Sequence, residues 1–529
     1  MKKTLFSAFS IVLMLLAFAS CSNEADEPKF TGDIETVAKN LNLDSLVTEV
    51  LAADATGVSV EYKLAVDSTR AAEGTGNSTL SATASLSGYR SGSYVIVDGT
   101  LTYLFSGTVS GNTFTAESIC TVSTTEPLSV DTGSGNVVVT INDENADAQL
   151  GPVDISEADS NGLVPTENVK VASVKIAAEG TVTVGGEDVI VYTSVLNADE
   201  LKTGLTDGGY YRLTDNITLS PDGSTASPVV FSNDASIDLD GHTLTSEFIV
   251  NLEDASWEIS NGTLISNITG LEDAKNRIAI GLKTNSSLVL DNVDYKSNIV
   301  ALFLFNNENN PTLRIINGSS VKTTEAYYAI GTNATEPNSS RNVTLDIIDS
   351  TVSSAGSKDT NGDNTAILFN VNGTVTIENS EITGDRHGLI LRGGNNDVPH
   401  RIVNSTITAN GVTETFDEIQ SGYPYLYGNW ASGNGVPQAA LIIGNRTQSA
   451  YRHNIKVELE NADINGQGYS YCDIYVWENH TDDGYNQEIS VSGSCRDITN
   501  VNNDMHGAEF NVRNTKAITI STGEEMLKP

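Results

Sequence analysis

Between Val412 and Tyr485 the chain concentrates 8 of its 18 tyrosines and 2 of its 3 tryptophans. Tyr423, Tyr425, Tyr427 and Trp430 fall in one stretch, GYPYLYGNW, while Tyr475 and Trp477 alternate with Ile474 and Val476 in DIYVWEN. Broad amphipathic rings beside Asn and Asp side chains suit a sugar, whose C–H face stacks on a ring while its hydroxyls bond to the polar neighbours. In an extended DIYVWEN with Ile474 and Val476 inward, Tyr475 and Trp477 point out. The competing expectation is packing, with the aromatic loop folded over that face, because rings are more often buried than displayed.

A second concentration is cationic. Arg386, His387, Arg392, His400 and Arg401 lie within GDRHGLILRGGNNDVPHR, in a chain whose formal net charge is −39. Alternation with Leu389 and Leu391 places Arg392 on the outside of its strand. Surface ion pairs with Asp385 and Asp397 are the plain alternative, and such pairs contribute little. Alternate oxygen donors at Asp359, Asn361 and Asp363, and again at Asp143, Asn145 and Asp147, suggest Ca²⁺. In the first set an EF-hand-type loop would need Gly at the sixth position and Glu at the twelfth, where Asn364 and Asn370 stand, so a polar turn is the better expectation. The expected cofactor is therefore none, with calcium the alternative, and no metal site is assigned.

These residues ride on two alternating strand patterns that recur from about residue 237 to residue 520. One is an apolar alternation closed by Asn and a small residue, as in VTIENSEI. The other is an apolar run closed by Asn or Gly, as in AILFNVN, ALFLFNN and ALIIGNR. The closing positions Asn261, Asn292, Asn317, Asp349, Asn379 and Asn404 step by 31, 25, 32, 30 and 25 residues. A self-similar period of that size marks a stacked array, since one repeat cannot bury its own apolar face. Asn at the bend tolerates left-handed backbone angles and can bond its amide to the Asn of the next repeat. From Asn404 to Asn461 the step is 57 residues, about two repeats, interrupted by an insertion from Val412 to Gln438.

The pattern resembles the right-handed parallel β-helix family, the pectin-lyase-like fold. The resemblance is to an architecture, which does not fix function. Polysaccharide lyases of this type neutralise a uronate carboxylate with Arg or Lys and remove a proton with a basic residue. That implies catalytic roles for Arg386, His387 and Arg392. The polygalacturonase-like hydrolases are a poorer match, because His480, Asp482 and Asp483 follow the RHG at Arg386–Gly388 in reversed order and no Arg-x-Lys comes after them.

Upstream, Lys2 and Lys3, an apolar stretch from Leu5 to Ala19 and then Ser20 precede Cys21. This is a secretory signal with a relaxed lipobox, too short to span a bilayer, and Cys21 is the expected lipidated residue. Its removal takes away two lysines and no acids, moving the charge from −39 to −41. Such a surface repels nucleic acid and disfavours polyanions. Cys472 and Cys495 are 23 residues apart, close to one repeat, and are the expected disulfide.

The expected organisation is a mainly β chain with four parts. A signal peptide spans 1–20 and an acidic tether 21–32. A smaller antiparallel β domain spans 33–196, opened by one amphipathic helix from Asp33 to Ala55. A parallel β-helix spans 197–522, capped by a helix over Leu196–Leu205 with Asn197 as its N-cap. In the antiparallel domain, VDGT and VSGN are expected turns. The functional expectation is a monomeric lipoprotein of the outer membrane, facing the cell exterior, that presents a carbohydrate-binding or adhesive face to an extracellular polysaccharide or host glycan. A polysaccharide lyase or glycoside hydrolase on the same scaffold is one alternative, and a structural surface protein without a small ligand is the other.

Overall fold

The computed structural model describes residues 34–522, except 52–55, 67–76, 178–179, 224–226, 272–276, 306–309, 325, 333–341, 356–363, 396, 412–437, 445–452, 469, 471, 478–486 and 493–517. The chain is mainly β, with one antiparallel sheet followed by parallel sheets. It divides between Val189 and Ile190 into two compact units.

The first unit is a ten-stranded antiparallel sheet whose long strands, Asn77–Ser91, Tyr94–Ser110, Thr113–Asp131 and Asn136–Leu150, follow one another as a meander. The VSGN turn forms as expected, with Ser110 paired to Thr113 across Gly111 in a left-handed conformation (φ 60°). VDGT does not turn. It lies inside Tyr94–Ser110, where register shifts on both sides of Asp98 make a β-bulge. Gly99 has φ 141° there, and a Cβ on it would stand 2.6 Å from Leu128 Cδ2.

The N-terminal helical segment lies against this sheet and is two helices, not one. Helix α1 (Ile34–Leu41) and helix α2 (Leu43–Glu49) are broken at Asn42, which sits at φ 57°. The break re-aims the chain so that Leu41 and Leu43 are both buried, which one straight helix would prevent for residues two apart. Both helices are tied down by side chains of the sheet. Tyr103 donates its hydroxyl to Val47 O at 2.8 Å, Ser91 to Leu41 O at 2.5 Å, and Tyr62 to Leu51 O at 3.3 Å.

In the second unit a short strand, Thr193–Val195, is followed by helix α3 (Ala198–Asp207). Asn197 caps it as its sequence position predicts, with Oδ1 accepting from the Asp199 and Glu200 amides at 3.1 and 3.0 Å. Leu201 and Leu205 reach the apolar interior below, so the helix covers what the first repeat would otherwise expose.

Beyond it lie a 19-stranded and a nine-stranded sheet, in which every pairing is parallel and each strand bonds to its counterpart in the next repeat. Each repeat gives the larger sheet two strands around an Asx bend. Asn261, Asn292, Asn317, Asp349, Asn379, Asn404 and Asn461 all have φ between 49° and 57°. The expected amide ladder forms in part. Asn292 Nδ2 donates to Asn261 Oδ1 at 3.2 Å and Asn461 Nδ2 to Asn404 Oδ1 at 3.1 Å, whereas Asn317 Nδ2 turns to Asp291 Oδ1 at 2.9 Å.

The 57-residue step is one repeat with an insertion, not two repeats. Val403 pairs directly with Glu460 and Thr406 with Asp463, and Ala439–Gly444 supplies a single strand to the nine-stranded sheet within that step. Residue counting could not separate a second repeat from inserted chain.

Candidate functional site

The two sheets differ in exposure, and that difference locates the site. Strands of the larger sheet alternate buried and part-exposed residues, as in Gly373–Glu378. Strands of the nine-stranded sheet, such as Tyr328–Thr332, Thr365–Phe369 and His387–Leu391, are buried on both sides. Their inward residues join the long aliphatic core. Leu368, Ile390, Ile442 and Tyr475 form a second buried cluster on the outer side.

The register brings the strands that carry the two groups of residues close together. His387 pairs with Ala439, and Ala439 with Cys472; Ile390 pairs with Ile442, and Ile442 with Tyr475. Trp477 is opposite Gly444. The basic and aromatic groups, far apart in sequence, are thus neighbours two repeats from each other.

Their exposure overturns part of the expectation. Tyr475 is 0% exposed and packs in the outer cluster, so it is a packing residue there and not an outward platform. Arg392, expected outside, is 1% exposed and is among the largest fully buried side chains of the described residues. Alternation along a strand cannot report whether a side is open to water, because that depends on what packs over it. Arg386 and His387 are buried with it, and so is Asp385, whose carboxylate accepts from Asn410 Nδ2 at 2.9 Å. His387 Nδ1 lies 3.0 Å from the buried Thr365 hydroxyl. Tyr423, Tyr425, Tyr427, Trp430, Cys21, Cys495, His480, Asp482 and Asp483 lie outside the described residues, as do the side chains of Cys472 and Trp477.

His400 is structural. Its Nδ1 accepts from the Val375 amide at 3.0 Å, which leaves Nε2 to donate to Gly393 O at 2.8 Å, and its ring meets Phe369 edge-on. Both ring nitrogens are used by the neutral form. Burial, reinforced by nearby His453 and partly offset by the Gly393 bond, pulls its pKa down to about 4. Arg401 faces outward and pairs with Glu458 at 3.5 Å on the larger sheet.

The donors around Asp143 do not gather into a cation site. Asp143 is buried and accepts from the Asn145 and Ala177 amides, while Asn145 and Asp147 are exposed. A register shift beside Cys120 and Val122 breaks the alternation that would have put all three on one face. Asp359, Asn361 and Asp363 lie outside the described residues. Among the described residues no group of three or more His, Cys, Asp or Glu could hold a metal.

An aromatic strip not expected from the sequence lies mid-sheet on the same outer side, continuous with the cluster that holds Ile390 and Tyr475. Phe303, Phe305 and Tyr327 are half-buried and adjoin the nearly buried Tyr328. The Phe303 and Phe305 rings are 4.8 Å apart and tilted by 55°, and those of Tyr327 and Tyr328 are 6.1 Å apart. The signal was present in ALFLFNN, where Phe303 and Phe305 alternate with core Leu302 and Leu304. A smaller aromatic group lies on the larger sheet, where Arg212 stands 4.8 Å over the Tyr192 ring and bonds Asp238 at 2.8 Å.

Comparison with known proteins gives no match to a family model, to a curated protein or to a solved structure.

Proposed function

We propose that this chain is a lipid-anchored protein of the outer membrane, facing the cell exterior, whose second unit winds as a right-handed parallel β-helix and presents a carbohydrate-binding or adhesive face. Consecutive parallel registers and the recurring left-handed Asx bends support the winding. The signal and Cys21 support the anchor.

The observation that carries the binding function is the aromatic strip on the outer side of the nine-stranded sheet, where Phe303, Phe305 and Tyr327 keep part of their surface open. Rings held half-open on a rigid sheet are suited to the C–H faces of sugars. Lyase chemistry is less well supported, because a general base must come within hydrogen-bond reach of the substrate, and Arg386, His387 and Arg392 are enclosed. An extracellular polysaccharide or host glycan is the partner that this surface and the acidic charge favour over nucleic acid.

The test is a glycan array probed with residues 22–529, run beside uronate polysaccharides while absorbance from unsaturated product is followed. Retention without product is expected. Product formation lost in Arg392→Ala would replace binding by a lyase activity, and no retention on any glycan would favour a structural surface protein. Protease shaving of intact cells should remove the second unit, and protection from it would refute the outward orientation.

A further inference from the structure

We propose that Phe303 and Phe305 form a platform for one neutral pyranose of an extracellular polysaccharide, an inference that rests on the glycan-binding function above and narrows it to a site and a sugar class. Along the outer side of the nine-stranded sheet the register runs Asn251, Gly281, Phe303, Gly331, so that a phenylalanine stands between two residues without side chains.

The rings use that space. A Cβ on Gly331 would stand 2.9 Å from Tyr328 Cδ2 and 3.0 Å from Phe303 Cδ2, so the Phe303 ring leans over Gly331 against the Tyr328 ring. A Cβ on Gly281 would stand 2.7 Å from Phe305 Cε2 and would collide with Asn251 Oδ1, so the Phe305 ring leans the opposite way and its edge lies beside the Asn251 amide. Any larger residue at either glycine would push a ring up from the sheet. Laid down in this way and tilted by 55° to each other, the two half-buried rings make a shallow V of apolar surface.

A pyranose has the complementary chemistry, with an apolar C–H face for the rings and hydroxyls for the polar rim. Asn251, only 6% exposed, lies beside the Phe305 edge and is covered from solvent, so the open rim is charged. Just past the same strand ends, Lys283 Nζ faces Glu253 Oε2 at 3.6 Å, so the rim offers a donor and an acceptor whose charges cancel. A uronate would bring a carboxylate to a rim with no net positive charge, on a protein of net charge −39. A neutral sugar meets neither penalty.

The experiment is affinity electrophoresis of the full mature chain through gels containing galactomannan, xyloglucan, polygalacturonate or alginate. Wild type is compared with Phe305→Leu, Phe303→Leu and Gly281→Ala, with circular dichroism melts as fold controls. Retardation by a neutral polymer and not by the uronates is expected, weakened about tenfold in Phe305→Leu, where apolar volume is kept and the ring is lost. If Gly281→Ala does not fold, the two leucine variants decide. Retardation by the uronates at least as strong as by the neutral polymers overturns the sugar class. Neutral binding undiminished in both leucine variants overturns the platform and leaves glycan binding standing elsewhere, whereas no retention on any array glycan removes both.

Discussion

Buried His400 should make the second unit lose stability as the pH falls, and the size of the loss follows from its surroundings. In the folded chain its pKa is about 4, against 6.5 for an unperturbed histidine. The folded state therefore disfavours the proton that the unfolded state takes up. This contribution is fully present above pH 6.5, declines as the pH falls through the interval from 6.5 to 4, and is gone below 4, where both states are protonated. A depression of this size corresponds to about 3 kcal/mol in full, of which about 2 kcal/mol is lost by about pH 5.

Carboxylates titrate in the same region, so the histidine term has to be isolated by difference. His400→Asn retains an oxygen that can accept from the Val375 amide but gives up the donor to Gly393 O and the ring against Phe369. At pH 7.5 it should cost about 2 to 4 kcal/mol through the unpaired carbonyl and the cavity. Urea denaturation of both proteins from pH 7.5 to 5 should show that gap shrink by about 2 kcal/mol, because only wild type carries the proton penalty. A gap independent of pH would refute the reasoning, as would an imidazole ¹⁵N titration showing His400 protonating near 6.5.

Two further changes probe the scaffold. Asn292 holds φ 55° and donates to Asn261 at 3.2 Å, so Asn292→Ala should cost about 1 to 3 kcal/mol while Asn292→Gly, which keeps the backbone freedom, costs less. Thermal melts in which the two variants rank in the reverse order would contradict a backbone role for the bend. In the first unit, Tyr103→Phe removes the fully buried hydroxyl bonded to Val47 O at 2.8 Å and should lower stability by about 1 to 3 kcal/mol, seen as a shifted urea midpoint at unchanged slope.

The features most legible in the sequence were those set by local backbone chemistry. The Asx bends could be read because a left-handed residue between two apolar alternations leaves few alternatives to Asn, Asp or Gly, and each falls at φ 49° to 57°. The α3 cap at Asn197 and the Ser110–Thr113 hairpin were legible for the same reason. Local signals failed where a distant partner intervened. VDGT has turn composition, yet the long strands on both sides of it turn it into a bulge. The N-terminal helix breaks at Asn42 because the sheet demands burial of both flanking leucines.

For the candidate site the division is sharper. Period-two alternation put Tyr475 on the side of its strand away from core Ile474. It could not determine what lies above that side chain, whose burial came from tertiary packing of the outer side. Only the register between repeats, which no single strand encodes, set Phe303 between Gly281 and Gly331 and put the strands of His387 and Tyr475 two pairings apart. Sequence alone fixed a mainly β, stacked chain with left-handed bends, because these depend on each residue's own backbone preferences. The tertiary structure decided which outward residues meet water, because exposure depends on neighbours many residues away.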